Sequence, residues 1–169
     1  MGLFTPDINN LRELYTTMLQ RAVSMERQLI DEGLPTMIEN ATSPQLRDAF
    51  RTHLEETKEH ASRVERILQE NTGDVDSSKC KVMAALIAEG GASAKEATDQ
   101  ILRDVVLIAA GNQVEHHEIA VYGTLRNMAI ILGQADHAAL LDRTLEEEKH
   151  ADKLLTELSE QINVAAPVA

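Results

Sequence analysis

The fold is decided by residues 114–125, which read VEHHEIAVYGTL. Glu115, Glu118, Tyr122 and Leu125 recur at spacings of three or four residues, which places all four on one face of a helix. Apart from the two acids, this face is mostly apolar and belongs in a core. A buried carboxylate is costly unless a positive group meets it. The stretch therefore predicts a buried helix whose acids have a specific role.

Apolar residues continue at helical spacing on both sides of this stretch. We predict that the third long helix extends from about Asp99 to Leu132 and that Gly133 ends it. The fourth helix follows almost at once, and residues 163–169 read as a flexible tail. Strand formers are scarce, since the chain has two Phe, two Tyr and no Trp. The class is all-α.

Turn signals place two more long helices before residue 74. The first is predicted to begin after Thr5-Pro6-Asp7, with Thr5 as the capping residue, and to kink at Gly33-Leu34-Pro35 without ending there. Ser43 caps the second helix and Pro44 opens it. This helix is expected to continue to about Gln69.

A long connection follows from Asp74 to about Thr98. It is predicted to contain one short helix, Lys79 to Ala88, which Gly90-Gly91 should terminate. Two tight helical hairpins joined by a long crossover are the connectivity of ferritin-like four-helix bundles. We therefore expect residues 1–169 to form a single ferritin-like domain, with a short extra helix in the crossover.

Composition argues against several functions. The net charge is −12, from 28 acidic and 16 basic residues, and no basic patch could neutralise phosphates, so nucleic acid is not expected as a partner. The longest apolar run, Val105 to Ala110, is far shorter than the ~20 residues of a membrane span, and no signal peptide is evident. Cys80 is the only cysteine and is interpreted as a core residue rather than a reactive thiol, which fits a reducing cytoplasm.

Acids and histidines point inward from all four long helices. Their positions follow from rotation by 100° per residue relative to each apolar face. Glu55, Glu59 and Glu146 turn outward by the same measure, and His137 and His150 are expected to face solvent. The charge run Glu146-Glu147-Glu148 is in general typical of a solvated face. The inward set is Glu26, His53, Glu56 at an edge, His60, Glu115, Glu118, Glu148 and, one turn further on, Asp152.

Height along the bundle is an independent check. Glu26 and Glu56 are each 15 residues from Ala41, and Glu118 and Glu148 are each 15 residues from Gly133. Each pair should therefore lie ~22 Å from its own hairpin turn. A shift of 92 positions also superimposes Glu26 on Glu118, Glu56 on Glu148 and His60 on Asp152, which suggests a pseudo-repeat. The four carboxylates are predicted to converge at one level.

Carboxylates gathered in a low-dielectric core repel each other unless protons or cations are present. Oxygen ligands with one or more imidazoles suit iron or manganese, so we predict two divalent metal ions, with zinc as a replacement acquired on purification. The alternative is that the acids pair with Arg and Lys in a metal-free structural or interaction protein. Tyr122, one turn from Glu118, is interpreted as a core aromatic whose hydroxyl is hydrogen-bonded.

The sequence resembles the YciF-like family of bacterial ferritin-like proteins, which are associated with stress responses. The resemblance covers nearly the whole chain. It is carried by Glu26-Arg27-Gln28-Leu29, by residues 49–57 (AFRTHLEET), by residues 80–87 (CKVMAALI), by residues 114–125 and by residues 144–149 (TLEEEK).

This resemblance implies a helical bundle that forms a homodimer. It also implies a dinuclear metal site at the positions matching Glu26, His53, Glu56, Glu115, Glu118 and Glu148, whereas His60 and His150 depart from the family pattern. It does not supply a reaction. Our leading hypothesis is a metal-binding protein that acts on peroxide or dioxygen under stress. Mineral storage in a cage has no support in the sequence.

Overall fold

The computed structural model describes residues 8–168, and nearly all of this part of the chain is helical. One helix follows the next with short connections, except between α3 and α4. The elements are α1 (Leu11–Gln28), a π-helical turn (Leu29–Gly33), α2 (Leu34–Asn40), α3 (Pro44–Thr72), α4 (Lys81–Glu96), α5 (Gln100–Ile131), α6 (Ala135–Ile162) and a 3₁₀ turn (Asn163–Ala165).

The first helix begins later than predicted. Asn10 is its capping residue, because the Asn10 side chain accepts a hydrogen bond from the backbone N–H of Glu13 at 2.9 Å. The expected cap, Thr5, lies outside the described residues. The predicted continuation through Gly33-Leu34-Pro35 is confirmed, since a π-helical turn joins α1 to α2 and Pro35 stands in the first turn of α2.

The turn between α2 and α3 follows the sequence prediction. Ser43 caps α3, Pro44 opens it, and the helix continues to Thr72, three residues beyond the predicted end. Gly73 ends α3 in the left-handed conformation with a φ of 79°, which glycine adopts without strain.

The crossover helix α4 differs from the prediction. It begins two residues later, after Cys80, and continues through Gly90-Gly91 to Glu96. Gly90 is an internal contact point and not a terminator, since a Cβ atom at this position would lie 2.9 Å from the Cβ atom of Ala110 on α5. The absence of a side chain lets α4 lie close against α5, and this packing outweighs the weak helical propensity of glycine.

The two long hairpins form the bundle. The first consists of α1, α2 and α3, and the second consists of α5 and α6, which are joined through Gly133 at a φ of 72°. A single core of Leu, Ile, Val, Met and Ala side chains runs between them. The all-α, ferritin-like bundle with an extra crossover helix is therefore confirmed. None of the helices within residues 8–168 is long and apolar enough to cross a bilayer.

Candidate metal centre

Six acidic and imidazole side chains meet in the middle of the bundle. Each of the four long helices supplies at least one of them: α1 the acid Glu26, α3 both histidines, α5 two acids and α6 one acid. All six are at least nine-tenths buried. They are Glu26, His53, His60, Glu115, Glu118 and Glu148.

The six side chains form two groups that share one acid. His53, Glu115, Glu118 and Glu148 each offer a ligand atom within 4.8 Å of the others. Glu26, His60 and Glu148 form a second group by the same measure. Because Glu148 belongs to both, its two oxygens can serve two neighbouring cations at once.

The two histidines direct ring nitrogens towards these acids. Nε2 of His53 lies 3.2 Å from Oε1 of Glu115 and 3.8 Å from Oε2 of Glu148. Nδ1 of His60 lies 2.9 Å from Oε1 of Glu148. The ring centroids of His53 and His60 are 6.2 Å apart. The imidazoles therefore occupy the two groups separately, one in each.

Most of the inward-facing polar atoms make no hydrogen bond of normal geometry with a described residue. Both oxygens of Glu118 and both of Glu148 are in this state, as are Oε2 of Glu26, Oε2 of Glu115, both nitrogens of His53 and Nδ1 of His60. Buried polar atoms in native proteins are usually satisfied, and each exception needs a physical explanation. A donor set of free oxygens and nitrogens in one place fits a pair of metal ions.

Burial also changes how readily these groups ionise. It raises the pKa of Glu115 to about 8 and the pKa values of Glu26 and Glu148 to about 7, and with the nearby Glu148 it holds the pKa of Glu118 well above its usual range. Burial disfavours a charged His53, but the carboxylates of Glu115, Glu56 and Glu148 together outweigh this effect and raise the His53 pKa to about 10. Without cations, the centre must hold protons at neutral pH.

A carboxylate outside the centre fixes His60. Nε2 of His60 lies 3.0 Å from Oε2 of Glu147, and Glu147 in turn is bound by Arg63 and, at 3.0 Å, by Nε of Arg143. Burial opposes ionisation of Glu147, but its hydrogen bonds from Arg63 and Arg143 prevail and lower its pKa to about 2. Glu147 thus accepts a hydrogen bond from Nε2–H of His60. The lone pair of Nδ1 then faces the centre.

Tyr122 adjoins the centre beside Glu26 and His60. Its hydroxyl donates a hydrogen bond to Oε1 of Glu26, and the Tyr122 ring lies 6.4 Å from that of His60 between centroids. Burial raises the pKa of Tyr122 well above its usual value, so the hydroxyl keeps its proton. The prediction of a core aromatic with a bonded hydroxyl is confirmed.

Two expected members lie elsewhere. Glu56 is 37% exposed and stands at the edge of the centre, with Oε2 at 3.5 Å from Nδ1 of His53. Asp152 lies outside both groups: its Oδ1 accepts a hydrogen bond from Asn112 at 2.8 Å and lies 3.2 Å from Nε2 of His116. The expected equivalence of Asp152 with His60 is wrong, because Asp152 turns towards the polar edge shared with α5.

Sequence reasoning missed two further roles. Glu147 was read as part of a solvated charge run, yet it orients His60. His137 was expected to face solvent, but it is buried, with Nδ1 at 3.5 Å from the Tyr15 hydroxyl and Nε2 at 3.1 Å from Oε2 of Glu70. Position on one helix did not reveal either role, because the partners come from other helices. His150 is exposed, as predicted.

Fold and cluster together define a class of protein, the ferritin-like bundles with acids and histidines gathered in the core. Comparison with known proteins gives the family: residues 10–166 match the family described as "Domain of unknown function (DUF892)". The chain is 35% identical to Protein YciF of Escherichia coli (strain K12) over 154 residues, which are 90% of this chain and 92% of that protein. The chain therefore belongs to the YciF-like family.

Two solved structures agree with this assignment. The crystal structure of the Escherichia coli stress protein YciF superimposes with a TM-score of 0.87 at 34% identity, covering 94% of this chain and 100% of that one. YcfI from Rhodopseudomonas palustris, for which a structural role has been suggested, gives a TM-score of 0.86 at 33% identity and covers 91% and 98% of the two chains.

Proposed function

We propose that the chain binds two divalent transition-metal ions, iron or manganese, in the middle of the bundle. His53, Glu115 and Glu118 would hold one ion, and Glu26 and His60 the other. Glu148 would contact both. Zinc would occupy the same ligands when it is the metal available during purification.

One observation carries this proposal: the facing oxygens and nitrogens of the six side chains are buried and lack hydrogen bonds of normal geometry within the described residues. Carboxylate and imidazole ligands together suit iron and manganese better than calcium or magnesium, which prefer oxygen alone. Within the described residues, the six side chains form ion pairs only with one another, with Glu56 and with Glu147, and none of them pairs with an Arg or Lys. The outer Glu147 supports His60 in the manner typical of metal-binding histidines.

The proposed activity is chemistry on peroxide or dioxygen during stress. Bound iron or manganese would supply Lewis acidity and a change of oxidation state. The chain's own residues would hold the ions, exclude bulk water and keep a proton on Tyr122. The stress association rests on the relative YciF, which is described as a stress protein.

Elemental analysis tests metal binding directly. Protein reconstituted without oxygen and then desalted should hold close to two Mn²⁺ or Fe²⁺ per chain. Glu118→Ala should bind one ion or fewer, whereas Glu146→Ala, an exposed acid paired with Lys149, should still bind two. An unmetallated wild-type protein after reconstitution would contradict the proposal. Peroxide consumption by the loaded protein, compared with Glu118→Ala, then tests the activity.

A metal-free structural protein is the second candidate. It is favoured by the proximity of His53 and His60 to the acids, because protons shared within the cluster could also satisfy the core. The relative YcfI, for which a structural role has been suggested, points the same way. This candidate predicts that chelators leave the melting temperature unchanged and that metals do not copurify in fixed proportion.

We also propose that the protein is a cytoplasmic homodimer. Val82, Ile130 and Ile131 are large apolar side chains that are more than half exposed in the single chain, and a second copy would cover such side chains. The single cysteine fits a reducing compartment. Light scattering coupled to size-exclusion chromatography should give twice the chain mass of 18.6 kDa.

A further inference from the structure

The two histidines of the centre are built alike but supported differently. Each directs one nitrogen inward and the other towards a carboxylate nearer the surface: Glu147 for His60 and Glu56 for His53. Glu147 is bound by two arginines and stays in place. Glu56 has no arginine or lysine partner among the described residues, and its side chain is more than one-third exposed. The contact with His53 restrains Glu56 less than two arginines restrain Glu147, so Glu56 can change rotamer more easily.

Glu56 also stands where two cavities adjoin. The outer one, which we call the acid basin, is an open depression of about 510 Å³ lined by Thr52, Glu55, Glu56, Glu59, Arg63, Arg143 and Glu147. The inner cavity measures about 60 Å³ and is lined in part by Glu56, His53 and Glu115. Thr52 and Glu56 belong to both linings. The carboxylate can thus reach the basin on one side and the buried ligands on the other.

Among the described residues, the carboxylates of the acid basin that have no arginine or lysine partner are Glu56 and Glu59, and the ion-pair partner of Glu56 is the buried His53. Glu147 is neutralised by Arg63 and Arg143, and Glu55 is paired with Lys58 at 2.7 Å. Glu59 is exposed and makes no ion pair with a described residue. A depression that holds carboxylates without arginine or lysine partners raises the local concentration of cations.

A buried and unsatisfied side chain points to a ligand beyond Glu56. His53 is 6% exposed, lines the inner cavity, and makes no hydrogen bond of normal geometry through either nitrogen with the described residues. The inner cavity has room for about two water molecules. A fully hydrated divalent ion does not fit, so an ion that enters must exchange water for protein oxygen on the way.

We propose that Glu56 is a transfer carboxylate, which takes a divalent cation from the acid basin and hands it to His53 and Glu115. The inference rests on the proposed metal centre and adds its loading route. Glu56 replaces water on the entering ion, turns inward with it, and releases it when the buried carboxylates take over. It acts on the rate of loading and is not a resident ligand, so the number of ions bound at equilibrium does not depend on it.

Anaerobic stopped-flow mixing with Co²⁺, followed by its visible absorption, measures the route. Glu56→Gln should load at least ~10-fold more slowly than wild type, because the carboxylate charge that attracts and desolvates the ion is gone. Co²⁺ bound per chain at saturation should be unchanged. Glu56→Asp, which keeps the charge, should recover part of the rate. The control Glu146→Gln removes an exposed acid outside the basin and should load within twofold of wild type.

Each alternative outcome has a distinct meaning. Equal loading rates for wild type and Glu56→Gln would overturn the route and leave the metal centre standing. A drop in bound Co²⁺ from two to one in Glu56→Gln would also overturn the route, since Glu56 would then be a resident ligand. Wild-type protein that binds no Co²⁺ would overturn the metal centre and the route together. Glu56 is half-buried, and circular dichroism of the variants will confirm that they fold.

Discussion

Two sites in this molecule bury acids, and they differ in how the acids are satisfied. Asp104, on α5, is 3% exposed, and its carboxylate accepts hydrogen bonds from the Thr42 N–H at 2.7 Å, the Thr42 hydroxyl at 2.5 Å and the Ser43 N–H at 2.8 Å. Glu118, also on α5, is fully buried, and neither of its oxygens meets a described donor with normal geometry. Both acids come from one helix, about four turns apart.

The contrast shows that burial alone does not mark a functional acid. Asp104 joins α5 to the turn between α2 and α3, and the chain's own donors complete it, so its role is structural. Glu118 faces Glu26, Glu115 and Glu148, which are acceptors like itself. Such a group is completed only by something from outside the chain, either protons or cations. The two sites therefore respond differently to metal, mutation and pH.

Metal addition should produce the largest change in thermal stability. Two ions, each at about a thousand times its dissociation constant, stabilise the folded state by about 8 kcal/mol in total, which raises the melting temperature by about 20 °C. Calorimetry of chelated and Mn²⁺-loaded protein measures this change. Asp104→Asn should show the same increase as wild type, because Asp104 takes no part in the centre. A melting temperature that changes neither with Mn²⁺ nor with chelator would favour the metal-free structural candidate.

The second-largest effect on stability is expected when Asp104, the acid with hydrogen-bond donors, is replaced. Asp104→Asn puts an amide NH₂ group, a donor, where an oxygen had accepted from Thr42 and Ser43, so buried donors face each other. We expect the free energy of unfolding to fall by about 2–3 kcal/mol, equally with and without metal. Urea unfolding measures it. A loss below about 0.5 kcal/mol would mean that the turn re-forms around the amide.

The helix pattern was enough to predict most of the fold. Periodicity located the four long helices, and Ser43-Pro44 and Gly133 marked real helix boundaries. It failed where a contact between helices decides the outcome. In the sequence, Gly90-Gly91 indicates the end of a helix. In the structure, Gly90 lies inside α4 and packs against Ala110 of α5. The start at Asn10 was missed because Thr5-Pro6 is also a good capping sequence.

Most of the candidate centre, like most of the fold, was predictable from the sequence. Rotation by 100° per residue and equal distance from a hairpin turn placed Glu26, Glu118 and Glu148 together, as the structure does. These rules treat helices as ideal cylinders, so they cannot resolve residues at the edge of a face. Glu56 and Asp152 are such residues, and side-chain partners decide their direction. Glu147 was missed for the same reason, because Arg63 on α3 draws it in.

The third effect is the response of the metal-free protein to pH. Burial raises the pKa values of Glu26 and Glu148 to about 7 and of Glu115 to about 8, so the folded state holds protons that the unfolded state has released. Stability must therefore fall as pH rises through these values. Burial lowers the pKa of His60, which acts in the opposite direction below about 6.5. The decline should be clearest from pH 6.5 to 8.

In EDTA, we expect the melting temperature to fall by about 5 °C over this range. With Mn²⁺ the trend should reverse, because higher pH removes the protons that compete with the ions. Calorimetry at three or four pH values, in EDTA and with Mn²⁺, tests both trends. A metal-free protein whose stability rises between pH 6.5 and 8 would show that the acids are ionised and paired in the core, contrary to the structure.

The smallest expected effect comes from Glu118→Gln. It makes at Glu118, which lacks hydrogen-bond donors among the described residues, the same acid-to-amide change that Asp104→Asn makes at a fully hydrogen-bonded acid. Glu118→Gln replaces one carboxyl oxygen by NH₂, which here gains acceptors in Glu26, Glu115 and Glu148, and the amide is neutral without the proton that the buried carboxyl must take up at pH 8. Metal-free Glu118→Gln should be about 1 kcal/mol more stable than wild type at pH 8 and should bind fewer than two ions. The same acid-to-amide change thus destabilises one end of α5 and stabilises its middle. If urea unfolding shows a loss at both positions, Glu118 already has a donor in the folded chain, and the distinction between a structural acid and a metal-binding acid fails.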